Sequence, residues 1–382
     1  MNFLLLSIGM VLIIGYAIII FWVIKNWDKN MPWTVPKDWN PSTFTTILIP
    51  ARNEEKNISF CLQSILNQNL PKENFEIIVI DDHSNDNTIK LVKDFNSPQI
   101  SILKLSDFPQ IKGQHYKKAA IDLGIKKAKG NLIVTTDADC IANPEWLPLL
   151  VSFYEKKDAK FIAAPVNFHQ EKNTFERFQS LDYVGMMGVT GAGIFSKKLS
   201  LCNGANLAYN KESFLSVNGF EGIDQVASGD DMLLLEKFQK TYPDDTYFLK
   251  NNLATIRTKA KPTIQSFVNQ RLRWAAKTSY YQNKSTILLQ TWVGAFSFGI
   301  VLSLFLIPFL GIFAVRLFAY ALFFKSIIDY FYLRKMAIFF NRNDLMRHFI
   351  AAQIWHLLYI VLVGLGSFFI KKVIWKGRDL KT

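Results

Sequence analysis

A chain of 382 residues with a net charge of +13 is half hydrophobic, carries 32 Phe, and is still one-fifth (20%) charged. That mixture excludes a uniform soluble protein, because so many apolar residues beside so many charges must be segregated along the chain. Cys61, Cys140 and Cys202 form neither a metal pair nor an even framework, which excludes a disulfide scaffold and points to a reducing compartment.

Residues 1–25 hold an apolar run, Phe3 to Ile24, of about the twenty residues that cross a hydrocarbon core. It lacks the basic start and small-residue cleavage site of a signal peptide, so an uncleaved anchor is expected. Residues 26–42, rich in Trp, Pro and Lys, read as an interfacial linker.

From residue 43 to about 250 short apolar runs alternate with amphipathic stretches. Strands are expected at Phe44–Ile49, Phe75–Ile80, Ile102–Leu105, Leu132–Thr136 and Phe161–Pro165. Helices are expected at Glu54–Gln68, Asn87–Phe95 and Tyr116–Lys129. Such alternation predicts a mostly parallel α/β sheet, with ligands beyond the carboxyl ends of its strands.

Residues 251–286 read as a second interfacial segment. Residues 287–370 carry candidate spans at Leu288–Phe313, Leu317–Leu333 and Phe349–Ile370, and 371–382 form a basic tail. Lys325 and Asp329 share one helical face in the middle run, which suits either a buried ion pair or an interfacial helix. Basic residues cluster beside the apolar runs, at 334–347 and in the tail, rather than in a stripe interleaved with aromatics. The charge therefore points to anionic lipid and a cytoplasmic face, and away from nucleic acid, although three C-terminal spans would put the 334–347 loop and the tail on opposite sides, one of them against the positive-inside preference.

Acidic clusters follow the strand runs. Pro50-Ala51-Arg52-Asn53-Glu54-Glu55 follows the first, and Asp81-Asp82-His83-Ser84 ends the second. Such residues bind a nucleoside's imide or ribose hydroxyls, or simply make polar, helix-capping turns. The fourth runs into Asp137-Ala138-Asp139. As extended strand, the expected conformation here, this triplet points both carboxylates the same way and asks for a positive partner, such as Mg²⁺ or Mn²⁺ bridging to a diphosphate. Further on, Asp230-Asp231 precedes an apolar helix; these acids suit either a helix N-terminus or a general base. Gln270-Arg271-Leu272-Arg273-Trp274 lies before the spans.

In this order the motifs resemble glycosyltransferase family 2, inverting membrane-associated enzymes of GT-A fold that include ceramide glucosyltransferase-like and hyaluronan synthase-like members. The resemblance covers Phe44 to Trp274. It implies donor binding by Pro50, Arg52, Glu54, Asp81, Asp82, Lys117 and Asp137, and a metal site at Asp139 and Asp137. It further implies an acceptor segment at Gly204, Ala205 and Asn206, with Trp274 in the acceptor wall, and a catalytic group of Asp231, Asp230, Gln270, Arg273 and Trp274. Asp230-Asp231 stands where the family has Glu-Asp, leaving Asp231 as the base, and Tyr116 replaces the usual Gly before Lys117, with Lys118 adjacent. The implied protein is a multi-pass enzyme of the inner membrane with one N-terminal and two to three C-terminal transmembrane helices. It would move a hexosyl unit from a nucleotide-sugar, with uridine the expected nucleoside, to a lipid or glycan. A processive polysaccharide synthase, an inactive scaffold and a nucleotidyltransferase are the competing readings. No motif identifies the sugar, the acceptor or a protein partner.

Overall fold

Apolar, largely β-branched runs such as Thr45–Ala51 are buried along nearly their whole length and form the centre of a seven-stranded sheet. The computed structural model describes residues 2–108, 116–224, 226, 229–369, 372–375 and 378–381. Contacts divide the chain into two units: Asn30–His169 with Ser200–Lys259, and Met1–Lys29 with Gln170–Leu199 and Ala260–Thr382.

The first unit holds β1 (Thr45–Ala51), β2 (Phe75–Asp81), β3 (Ile100–Lys104), β4 (Leu132–Thr135), β5 (Phe161–Ala163), β7 (Leu207–Asn210) and β8 (Thr246–Phe248). Their order is β3-β2-β1-β4-β7-β5-β8; β7 runs antiparallel to both neighbours and every other pairing is parallel. The register sets Ala51 beside Asp81 and Leu48 beside Thr135, so the carboxyl ends of the three central parallel strands lie on one edge. A second parallel pair joins β6 (Val166–His169) to β9 (Ile256–Lys259). Around them lie α2 (Ile58–Leu66), α3 (Thr88–Asp94), α4 (Tyr116–Lys127), α5 (Trp146–Lys157), α7 (Lys211–Ser216) and α8 (Met232–Thr241).

Residues 30–43 are fastened to this unit. Glu155 on α5 accepts hydrogen bonds from the Trp39 indole at 2.5 Å and from the Ser42 and Thr43 amides at 2.8 Å. Lys250 donates to the Asn30 carbonyl at 2.9 Å.

The second unit is helical: α1 (Asn2–Lys29), α6 (Thr174–Phe195), α9 (Ile264–Ala276), α10 (Lys284–Phe305), α11 (Ile307–Leu310), α12 (Ile312–Phe339) and α13 (Phe349–Phe369). Residues 170–199, inside the expected 43–250 segment, cluster with these helices. Three stretches, Asn2–Lys29, Lys284–Phe305 and Asn343–Ser367, are long and apolar enough to cross a membrane. On α1, Phe3, Leu4, Ile14, Ile18 and Phe21 stay exposed, as lipid-facing residues would.

The run Leu288–Phe313 is not one span. α10 stops at Phe305, and Gly311, at φ +55°, restarts the chain into α12. α12 continues past Leu333 to Phe339. Its Lys325 and Asp329 form a buried pair at 2.5 Å, with Gln353 at 3.1 Å from Lys325 and the Tyr16 hydroxyl on Asp329. The buried ion pair expected for these charges is therefore formed. Ile370 lies outside the described residues, and in the tail Lys372–Trp375 pairs antiparallel with Arg378–Lys381.

Candidate active site

The residues expected on the nucleoside side meet where β1 and β2 end. Arg52 follows β1 and donates to the Asp82 carbonyl at 2.9 Å, with its guanidinium 3.9 Å from the Asp82 carboxylate. Asp82 is buried and lies 3.0 Å from the His83 ring; its amide donates to the Ala51 carbonyl at 2.8 Å. Asp81 ends β2 and accepts from the Ser84 amide at 3.1 Å. Glu54 is buried and holds Asn57 at 2.8 Å, while its amide donates to Thr88 at 2.7 Å. Pro50 sits within β1 opposite Ile80.

The acids after β4 do not continue the strand, as an extended triplet would. Asp137 to Cys140 form a turn closed by the Cys140 amide donating to the Asp137 carbonyl at 3.1 Å. The turn still converges its ligands, because one atom each of Asp137, Asp139 and Cys140 lies within 4.8 Å of the others. Burial, then the charges of Asp139 and Asp137, push the Cys140 thiol up, so it stays protonated at neutral pH. Two carboxylate oxygens in one turn fit a hard divalent ion that completes its shell with water and phosphate. The neighbouring Cys140 was not anticipated; only its place directly after Asp139 could have flagged it.

Of the acids in this turn, Asp137 has a positive partner in Lys117. Its ammonium lies 2.8 Å from Asp137 and 3.0 Å from Asp230. Burial alone would lower the Lys117 pKa, but the two carboxylates overcome it and raise it. The adjacent Lys118 is buried and donates to the carbonyls of Ile223 and Val226, at 2.5 and 2.8 Å. Of the two adjacent lysines, Lys117 is the one that faces the acids.

Asp231 caps α8, accepting from the Met232 amide at 2.7 Å, and its other oxygen lies 3.3 Å from the Gly204 amide. A Cβ at Gly204 would stand 3.0 Å from Asp230 and 3.3 Å from Lys117, so only glycine fits this approach without displacing them. Ala205 is buried. Asn206 is fully buried and spends its amide on the Pro165 and Ala254 carbonyls, at 2.6 and 2.8 Å, and on the Trp146 indole at 2.9 Å.

In the helical unit, α9 carries the Gln-x-x-Arg-Trp string. Gln270, Arg273 and Trp274 are half-buried and recur at helical spacing along one face, whereas Arg271 turns inward and is buried. Arg271 meets Asp182 of α6 at 3.1 Å. Asp182 was not among the expected residues, because α6 itself was not expected.

A mostly parallel sheet with acidic turns beyond β1, β2 and β4 has the GT-A type of fold. The chain belongs to glycosyltransferase family 2: residues 46–216 match Glycosyl transferase family 2 and residues 132–364 match Glycosyl transferase family group 2. Among curated relatives, glycosyltransferase AglE of Haloferax volcanii is 29% identical over 125 residues, 33% of this chain and 40% of the relative. The 4,4'-diaponeurosporenoate glycosyltransferase of Staphylococcus aureus strain USA300 is 30% identical over 153 residues, 40% of this chain and 38% of the relative. The matches thus span about two-fifths of these relatives' length. Among solved structures, mannosyltransferase PcManGT of Pyrobaculum calidifontis, in complex with GDP-Man and Mn²⁺, has a TM-score of 0.54. That likeness covers 96% of this chain and 98% of the other; at 16% identity it is a likeness of fold.

Proposed function

We propose that this glycosyltransferase moves a single hexosyl unit, with inversion, from a nucleotide-sugar to a lipid hydroxyl at the cytoplasmic face of the inner membrane, with a UDP-sugar the first candidate donor. The observation that carries the reading is the cluster in which Lys117 joins Asp137 to Asp230 while Asp231 contacts Gly204. It unites groups suited to a diphosphate with a carboxylate suited to an acceptor hydroxyl.

In this account Asp81 and Asp82 hold the nucleoside, and Pro50, Arg52 and Glu54 shape the pocket around it. Asp139 and Asp137 would hold Mg²⁺ or Mn²⁺; when bound, the ion supplies charge neutralisation to the diphosphate. Lys117 turns to the same diphosphate, and Asp230 sets its approach. Asp231 takes the acceptor's proton as that oxygen bonds the anomeric carbon and the bond to the nucleoside diphosphate breaks, a role worth about 10²–10⁴-fold in rate. Gly204 and Ala205 bring the acceptor segment to Asp231, and Asn206 anchors that segment in the fold. Gln270, Arg273 and Trp274 contribute the acceptor wall and a further cation for the leaving diphosphate. Among the described residues three stretches are of spanning length, few to line a polymer channel, which favours single transfer.

The test is purified protein in detergent with a native lipid extract, labelled UDP-sugars or GDP-mannose, and Mn²⁺ or Mg²⁺. One sugar on an organic-soluble product supports the proposal. A ladder of water-soluble oligosaccharides overturns the single-transfer reading, and label moving with the nucleotide overturns sugar transfer itself.

A further inference from the structure

Arg271 is the one charged residue of the Gln-x-x-Arg-Trp string that turns into the protein. It is 4% exposed, its partner Asp182 has a side chain 5% exposed, and charges so placed are costly unless paired and hydrogen-bonded. The Arg271 guanidinium donates to Asp182 at 3.1 Å. The Tyr359 hydroxyl donates to the same carboxylate, 3.0 and 3.1 Å from its two oxygens, and the His356 ring lies 3.8 Å away. Among the described residues the guanidinium's Nε and Nη1 have no hydrogen-bond partner; aromatic faces surround them instead. Its carbon lies 4.4 Å from the Trp274 ring centroid, 4.8 Å from that of Phe267 and 5.5 Å from that of Tyr359. Tyr183, next to Asp182 on α6, brings its ring to 6.2 Å from Trp274.

We infer that Asp182 and Arg271 are positioning residues: Asp182 fixes the Arg271 guanidinium, and the guanidinium fixes the Trp274 indole by stacking against it. The inference rests on the proposed role of Trp274 in the acceptor wall. A planar, delocalised cation anchored at one edge sets the angle of an aromatic ring in a way that packing alone does not. Tyr359 holds the second carboxylate oxygen, so the anchor itself is tied to α13.

Three variants test this. Arg271→Lys keeps the charge and a partner for Asp182 but removes the stacking plane. Asp182→Asn combined with Arg271→Gln replaces the buried pair by a neutral one, in case a lone substitution prevents folding. Trp274→Ala reports on the reading beneath the inference. Each would be measured for thermal stability, for Mn²⁺ and UDP or GDP binding, and for kcat and acceptor KM with whichever labelled nucleotide-sugar and lipid extract the wild type uses. For Arg271→Lys and the double variant, nucleotide and Mn²⁺ affinity should stay within about twofold while kcat over acceptor KM falls about 10- to 100-fold, as expected when a reacting geometry is misplaced. Wild-type transfer by Arg271→Lys and the double variant, with Trp274→Ala impaired, overturns the positioning role and leaves the proposed function standing. Wild-type transfer by Trp274→Ala overturns the acceptor-wall reading itself. Parallel loss of stability, nucleotide binding and transfer in Arg271→Lys overturns the inference in favour of a purely structural pair.

Discussion

The Lys117 ammonium rests 2.8 Å from Asp137, inside the acidic turn proposed to hold a metal, and reaches Asp230 with the same nitrogen. A lysine and a divalent cation therefore compete for one carboxylate. Lys117→Met should tighten Mn²⁺ binding by roughly tenfold, since a partly screened positive charge is removed from beside the ligands. Transfer should nonetheless fall roughly 10²-fold, because a cation facing the leaving diphosphate is lost. Electron paramagnetic resonance titration of Mn²⁺ reads the first effect and labelled transfer the second.

Asp139→Asn should act in the opposite sense on the metal. Losing a direct ligand should weaken Mn²⁺ by more than the ~10–100-fold typical of losing a supporting residue around a metal. The same titration checks it, and unchanged affinity would remove Asp139 from the metal site.

At Gly204 a methyl group would stand 3.0 Å from Asp230 and 3.3 Å from Lys117. Gly204→Ala should push both side chains and cut transfer by at least about tenfold, because small displacements of reacting groups are expensive. Fold stability should change little, since the Lys117 and Asp230 side chains can give way. Turnover together with a thermal melt distinguishes the two.

Glu155 supplies a pH dependence. Burial would raise its pKa, but hydrogen bonds from Trp39, Ser42 and Thr43 hold it below the ordinary 4.5. A depressed carboxylate contributes stability that is present above 4.5 and lost as pH falls through its folded-state value. The 39–43 segment should therefore loosen in acid, and Glu155→Gln should loosen it already at pH 7. Hydrogen exchange at the Ser42 and Thr43 amides measures this.

The acids were legible because carboxylates at the carboxyl ends of buried strands announce themselves: Asp81, Asp82 and Asp137 fall where the runs of β2 and β4 stop. The mostly parallel character of the sheet was legible from apolar runs separated by helical spacing, whereas the order of its strands was not. What joins the acids was not. Nothing local in Lys117 says that it reaches Asp230, because that contact depends on how distant turns converge. The turn at Asp137–Cys140 was mistaken for extended chain, since a strand's end carries no periodicity. Helix α6 was missed because Gly185-Met-Met-Gly-Val-Thr-Gly-Ala-Gly lacks both helix propensity and a polar face, and buried surroundings supply the order instead. Asp182 was hidden with it.

The role proposed for Asp231 is that of the base in a sugar transfer whose donor is held by other residues. Its most direct test is a paired measurement on Asp231→Asn: labelled sugar transfer, and binding of UDP or GDP with Mn²⁺. The account predicts that transfer falls by about 10²–10⁴-fold while nucleotide affinity stays within about twofold of wild type. Near-normal transfer by Asp231→Asn would contradict it.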